Sequence, residues 1–251
     1  ANAGLRVPAL SNFPGTLRLE AAVLQLTERI AIEKATLDLR AGRSEFVFDN
    51  IRGELGGGKL AAVLRISDTS PRVADLKLDL AGVVLARLLS TKALRGTLQS
   101  SLTLSASGDT QDLLIESISG QGTAALTAFE LDQTDATAIV TVFTGLKDAP
   151  DEKKIEQAFL TALARGPLKV SKLEAPLVIA NGILRSGSAK AKAGSIEITL
   201  SGALHLPKRS VDALLNIELF TASAVRPGAA LRWQGAWDAP ERKADVRALT
   251  T

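Results

Sequence analysis

The sequence predicts a mainly β protein: an antiparallel meander of hairpins whose sheet curls into a groove or closes as a sandwich, with two or three α-helices packed on it. Three observations carry that expectation. Apolar and polar residues alternate with a period of two through most of the chain, turn-forming residues separate the alternating segments, and the alternation lapses where apolar residues recur at helical spacing.

The strand segments follow in order. Leu17, Leu19 and Ala21 alternate with Thr16, Arg18 and Glu20, and Leu76, Leu78 and Leu80 alternate with Asp75, Lys77 and Asp79. Near the C-terminus, Ile196, Ile198 and Leu200 alternate with Glu197, Thr199 and Ser201. The longest file is Val211, Ala213, Leu215, Ile217 and Leu219, set against Asp212, Leu214, Asn216 and Glu218. Successive side chains of a strand point to opposite faces, so each segment has one apolar face and one mostly polar face, the pattern of an antiparallel sheet wet on one side.

Turn signals lie between the files: Ala41-Gly42-Arg43, Gly56-Gly57-Gly58, Ser107-Gly108-Asp109, Asn181-Gly182 and Pro207-Lys208-Arg209. Gly, Asn and Asp accept the positive φ of tight hairpins, and Pro presets a turn. Asn181-Gly182, flanked by Leu177-Val178-Ile179 and Ile183-Leu184, is the sharpest of these signals. A weak repeat of apolar–polar–Gly recurs at Ile51-Arg52-Gly53, Ile118-Ser119-Gly120 and Leu200-Ser201-Gly202. Glycine within a strand marks a bulge or bend, and bends at matching places would curl the sheet.

Helical spacing predicts helices over Asp135 to Lys147, through Ile139, Val142, Phe143 and Leu146, and over Asp151 to Arg165, through Ile155, Phe159, Leu160 and Leu163. The second follows Pro150 and stops at Gly166-Pro167, with acidic residues in its first turn, as capping and the helix dipole favour. A short turn of helix is expected near Val84 to Ser90. The 251 residues are read as one region, 1–251, which admits a division into a β-repeat over 1–110 and a second over 111–251 that carries the helical insertion 135–166.

Composition narrows the function. The chain is 46% hydrophobic and 23% charged, ordinary for a folded protein, which excludes a disordered one. Its formal charge is +3, but Lys and Arg are scattered, aromatics are 4% and Tyr is absent, so no nucleic-acid partner is expected. Cysteine is absent, which excludes disulfides, thiolate metal sites and a cysteine nucleophile. Methionine is absent even at position 1, so we expect a piece of a longer protein, with any anchor or export signal outside it.

Few residues suggest chemistry. Gly53 to Lys59 has the spacing of a phosphate-binding loop, but Leu60 follows where Ser or Thr would hold magnesium, and Leu60, Ala62, Leu64 and Ile66 alternate as a strand rather than a helix. A hairpin turn is the better reading. His205 is the only histidine and is expected at an exposed strand end, opposite in direction to its apolar neighbours. Asp148, Asp151 and Glu152 bracket a helix start, where carboxylates serve the dipole. Trp233 alternates with Arg232 and Gln234 and is expected to cover the end of a core, with Trp237 nearby. No catalytic residues, metal ligands or cofactors are expected, and the chain is not read as an enzyme.

Several segments taken in order resemble the C-terminal region of the AsmA family of bacterial envelope proteins. They are Phe13-Pro14-Gly15-Thr16-Leu17-Arg18-Leu19, Ile30 to Leu39, Gly53-Glu54-Leu55-Gly56-Gly57-Gly58-Lys59-Leu60, Gly120 to Leu126, Leu177 to Leu184, Gly202 to Pro207 with the strand ending at Leu219, and Leu231 to Pro240 with its Gly235-Ala236-Trp237 step. Ala128-Phe129-Glu130 departs from the family, which often has Asp-Gly there. The resemblance implies a β-rich periplasmic body anchored in the inner membrane from outside this chain. It also implies a role in outer-membrane assembly and phospholipid movement, since larger relatives look like bridge-like lipid-transfer proteins.

Two readings of the apolar files follow. In the first, Leu17, Leu19, Leu76, Leu78, Leu80, Ile196, Ile198, Leu200, Leu215, Ile217 and Leu219 line a groove for phospholipid acyl chains. In the second, the same faces close on one another and on the helices, giving a structural or docking domain with envelope-protein partners and no lipid of its own. Periodicity reports a buried face but not what buries it.

Overall fold

The alternating segments become thirteen strands in the computed structural model, which describes residues 15–27, 30–89, 92–145, 151–220 and 226–249. The strands are β1 (Thr16–Gln25), β2 (Ala31–Ala41), β3 (Glu45–Leu55), β4 (Gly58–Ser67), β5 (Val73–Val84), β6 (Leu94–Ser107) and β7 (Ser119–Leu131). After a helical insertion come β8 (Leu168–Ala180), β9 (Ile183–Ala193), β10 (Ile196–His205), β11 (Ser210–Leu219), β12 (Gly228–Ala236) and β13 (Glu241–Asp245). Each pairs antiparallel with its chain neighbours, in sequence order, in one sheet that does not close. A mainly β meander therefore forms as expected, as a single open sheet rather than a sandwich. β6 and β7, on either side of residue 110, pair from Leu94↔Leu131 to Ser105↔Ser119.

The short turns obey local chemistry. Asn181 and Gly182 have φ of 51° and 67°, the positive pair of a tight hairpin turn joining β8 to β9. Gly56 and Gly57 turn β3 into β4, so the residues that resemble a phosphate loop are a hairpin followed by a strand. Ser107-Gly108-Asp109 differs from the tight turn expected. It leads into a helix, α2 (Gln111–Ser117), whose N-terminus is capped by Thr110 Oγ1 accepting from the Leu113 N–H at 3.3 Å.

Four α-helices are described rather than two or three. Besides α2 there is α1 (Leu85–Leu88), inside the expected turn near Val84, while α3 (Ala138–Gly145) and α4 (Glu152–Leu163) fill the insertion between β7 and β8. Helix α3 starts three residues later than its apolar spacing suggested, because the Asp135 carboxylate accepts the Thr137 N–H at 2.9 Å and holds the chain in a turn. Asp151 caps α4 by accepting from the Lys153 N–H at 3.2 Å, the structural purpose expected for it. Leu146, Lys147, Asp148 and Pro150 lie outside the described residues, as do Phe13, Pro14 and Ser90. A turn of 3-10 helix (Arg247–Leu249) ends the described chain.

Helices α3 and α4 lay Ile139, Val142, Ile155, Phe159 and Leu163 into one buried cluster with Phe129, Leu168, Ile198, Leu215, Ile217 and Leu231 from the sheet. Fully burying a side chain of that size contributes about 1.5–3 kcal/mol, so this cluster is the main source of tertiary stability. A smaller cluster of Ile32, Ala35 and Leu60 lies at the other end of the sheet. Ile32 and Ala35 are three apart, which an unbroken period of two forbids. Lys34, at φ 50°, supplies the bulge between them. Ala128 at φ 48° does the same in β7, so Ala128-Phe129-Glu130 is bulged strand rather than the turn expected there.

Candidate functional site

Directly paired residues of neighbouring strands share a face, so the register locates the eleven apolar residues relative to one another. Leu17 pairs with Leu39, Leu39 with Phe48, Phe48 with Leu64, Leu64 with Leu76 and Leu76 with Leu104. The path continues through Gly120, Ile179, Leu184 and Leu204 to Val211, the start of the file that holds Leu215, Ile217 and Leu219. Ile196, Ile198 and Leu200 pair with Leu219, Ile217 and Leu215. All eleven residues lie on one face of one sheet.

That face is treated differently along its length. Ile196, Ile198, Leu215, Ile217 and Leu219 are buried in the cluster with α3 and α4, and Leu200 packs against it half-buried. The protein's own helices, not a ligand, cover these six. Leu78 and Leu80 pack half-buried on the smaller cluster, and Leu76 is half-buried beside them. Leu17 and Leu19 are 43% and 44% exposed. The register adds Leu39, Phe48, Leu64, Leu102 and Leu104 to the face. The alternation through Leu60, Ala62, Leu64 and Ile66 already hinted at the middle of this group, but which strands adjoin was needed to join them.

Two glycines interrupt the apolar face between β6 and β8. Gly120 sits between Leu104 and Ile179 across the sheet, and Gly122 between Leu102 and Leu177. A Cβ at Gly120 would overlap the Thr103 carbonyl oxygen, and one at Gly122 would lie 2.7 Å from Leu102 Cδ2. Only glycine lets β6 and β7 approach this closely, and the apolar face loses two side chains where they do. Gly202 lies opposite a register shift, but the extra residue is in β9, between Ser186 and Ala189, so the bulge is in the partner strand rather than at the repeat's glycine.

The opposite face is polar. Arg232 donates from Nε and a terminal nitrogen to both carboxylate oxygens of Asp212, at 2.8 and 2.6 Å, and Gln234 Nε2 donates to the same carboxylate at 3.2 Å. The Arg232 hydrogen bonds hold the Asp212 carboxyl below its ordinary value of 3.8. With both oxygens engaged by a guanidinium, Asp212 is a paired surface ion rather than a poised acid or base. His205, the last residue of β10, is half-buried opposite Ser210, where an exposed position was expected. Trp233 packs half-buried against the large cluster, and Trp237 is 43% exposed.

Two surface depressions of about 200 and 400 Å³ lie away from the open leucines, one beside Lys192 and Phe220 and one beside Asn216 and Arg247. Among the described residues no three His, Asp or Glu side chains gather as metal ligands, and no helix is long and apolar enough to cross a membrane. Comparison with protein families, with curated proteins and with solved structures finds no match to this chain.

Proposed function

We propose that this chain is a non-enzymatic segment of a bacterial envelope protein that shelters phospholipid acyl chains on the part of its apolar face that α3 and α4 leave uncovered, over the exposed Leu17 and Leu19 of β1 and the half-buried leucines of β4 and β5. The observation that carries this is a contrast within one face: Ile198 and Ile217 are fully buried under helices, whereas Leu17 and Leu19 remain more than two-fifths exposed. An exposed run of leucine on a sheet is unfavourable in water unless something apolar meets it. Acyl methylenes would gain about 0.8 kcal/mol each on burial there, with no specific polar site required. The order of AsmA-like motifs supports the envelope setting. On this reading the body is periplasmic, its anchor lies outside the chain, and it serves phospholipid transport and outer-membrane assembly. The covered part favours the second reading for its own strands: there the face is a structural core.

Lipid uptake from phosphatidylglycerol vesicles, followed by native mass spectrometry of the delipidated protein, tests the proposal. We expect bound lipid, and we expect L17S/L76S/L78S to weaken uptake by about tenfold or more, the equivalent of about 1.4 kcal/mol. Val178, 55% exposed but paired with Gln121 and Arg185 on the opposite face, is the control, and V178S should leave uptake unchanged. No uptake by the parent protein, or an equal loss in V178S, would overturn the proposal.

A further inference from the structure

The two ends of the sheet differ. The outer edge belongs to β13 at one end, five residues with charges paired as Lys243 to Glu241 at 3.4 Å and Asp245 to Arg247 at 2.5 Å. Short, charged edge strands resist pairing with another chain. At the other end β1 runs for ten residues with no proline, no glycine and no positive φ, and carries only Arg18 and Glu20 as charges. Among the described residues nothing pairs with its outer edge. Among the described residues the outward backbone N–H and C=O groups of that edge have no strand partner, and they lie beside an apolar face.

We propose that β1 pairs antiparallel with β1 of a second copy of this chain, about a two-fold axis at Leu19. The register follows from face and charge. A shift by an odd number of residues would set the apolar face of one copy level with the polar face of the other, which one-sided strands disfavour. Among the registers that keep the faces together, an axis at Arg18 opposes Arg18 to its own copy, and an axis at Glu20 opposes Glu20 to its own copy. An axis at Leu17 or Ala21 leaves both charges opposite uncharged residues. An axis at Leu19 opposes Arg18 to Glu20 twice, Leu17 to Ala21 twice and Leu19 to itself. Opposite charges directly across an antiparallel pair stabilise it and like charges destabilise it. Arg18 Nε and Glu20 Oε1 already lie 3.2 Å apart within one strand, so the dimer completes a ring of four alternating charges. The apolar faces of the two copies then form one continuous surface. This interface goes beyond the lipid reading and stands without it.

Both charged side chains are about 70% exposed, so changing them leaves the fold intact. Sedimentation equilibrium of the whole chain should show a monomer–dimer equilibrium. R18E alone and E20R alone each set two like-charge pairs across the axis and should raise the dimer Kd by about tenfold or more. The swap R18E/E20R restores opposite pairs and should return Kd to near the parent value. A parent chain that is monomeric throughout, single variants that dimerise normally, or a swap that fails to rescue would each overturn the proposal, and circular dichroism of every variant confirms that it is folded.

Discussion

The first five strands and the strands from β8 to β12 are written in the same alternating pattern, yet the second group buries Ile196, Ile198, Leu215, Ile217 and Leu219 in a cluster with helices, whereas the first leaves Leu76, Leu78 and Leu80 half-buried and Leu17 and Leu19 exposed. The difference lies in the connections. Between β1 and β5 the chain turns back through short links such as Gly42 to Ser44 and Gly56-Gly57, too short to reach across the sheet. Between β7 and β8, residues 132 to 167 carry α3 and α4. Those two helices cover the face that β10 and β11 present, down to full burial at Ile198 and Ile217. Strand pattern sets which face is apolar, and connection length sets whether the protein covers it.

The contrast can be broken most directly by truncating one residue in each region. Phe159 is fully buried in the helix-covered cluster, and Phe159→Ala removes its contacts and leaves a cavity. We expect about 3–5 kcal/mol of lost stability in urea unfolding. Leu19→Ala, on the uncovered face, should fall within about 0.5 kcal/mol of the parent, as exposed positions do. Equal losses would show that the open strands are as tightly packed as the covered ones.

The boundary between the regions gives the next effect. Gly122→Ala places a methyl group against the Leu102 side chain and the β6 backbone, so β6 and β7 must move apart. The expected cost is about 1–3 kcal/mol, typical of overpacking. Gly145, the last residue of α3, has no described residue within 4 Å of where its Cβ would be. Gly145→Ala should therefore be neutral or stabilising by up to about 1 kcal/mol. Thermal unfolding of the two variants side by side would show whether the close β6–β7 approach at Gly122 is fixed; equal midpoints would show that the strands give way there.

Much of this arrangement was legible from residue order. Asn181-Gly182 announces its turn because a positive φ at both residues is tolerable only to such types, and Ile155, Phe159 and Leu163 announce the buried side of α4. Helix α2 was not legible: Leu113, Leu114 and Ile115 are consecutive, and consecutive apolar residues carry no helical period. The bulges at Lys34 and Ala128 were hidden too, since neither residue type signals a left-handed conformation. Of the candidate site, the strands that hold Leu17 and Ile217 could be read from alternation only as separate files. That they form one surface depends on strand order. Which of those files lie beneath α3 and α4 depends on where the insertion folds back, and that is a property of tertiary packing.

The smallest expected effects come from surface ion pairs, and there the two regions should part company in strong alkali. Asp212, on the polar face of the covered region, is held below its ordinary value of 3.8 by hydrogen bonds from Arg232. A carboxylate with a lowered folded value adds stability above its unfolded value and loses it as pH falls through the folded one. Asp212→Asn should therefore differ slightly from the parent at neutral pH and converge with it in strong acid. Lys34, beside the open strands, is raised above 10.5 by its hydrogen bond to Glu54 at 2.7 Å. Its contribution is complete below 10.5 and disappears as pH rises through the higher folded value, so the difference between Glu54→Gln and the parent should vanish in strong alkali. Both pairs are solvent-exposed, so added salt should shrink both differences. Thermal midpoints across pH, at low and high salt, would separate the two: in strong alkali the Glu54→Gln difference should vanish while the Asp212→Asn difference, held by a guanidinium, persists, and loss of both there would show that Asp212 does not depend on Arg232.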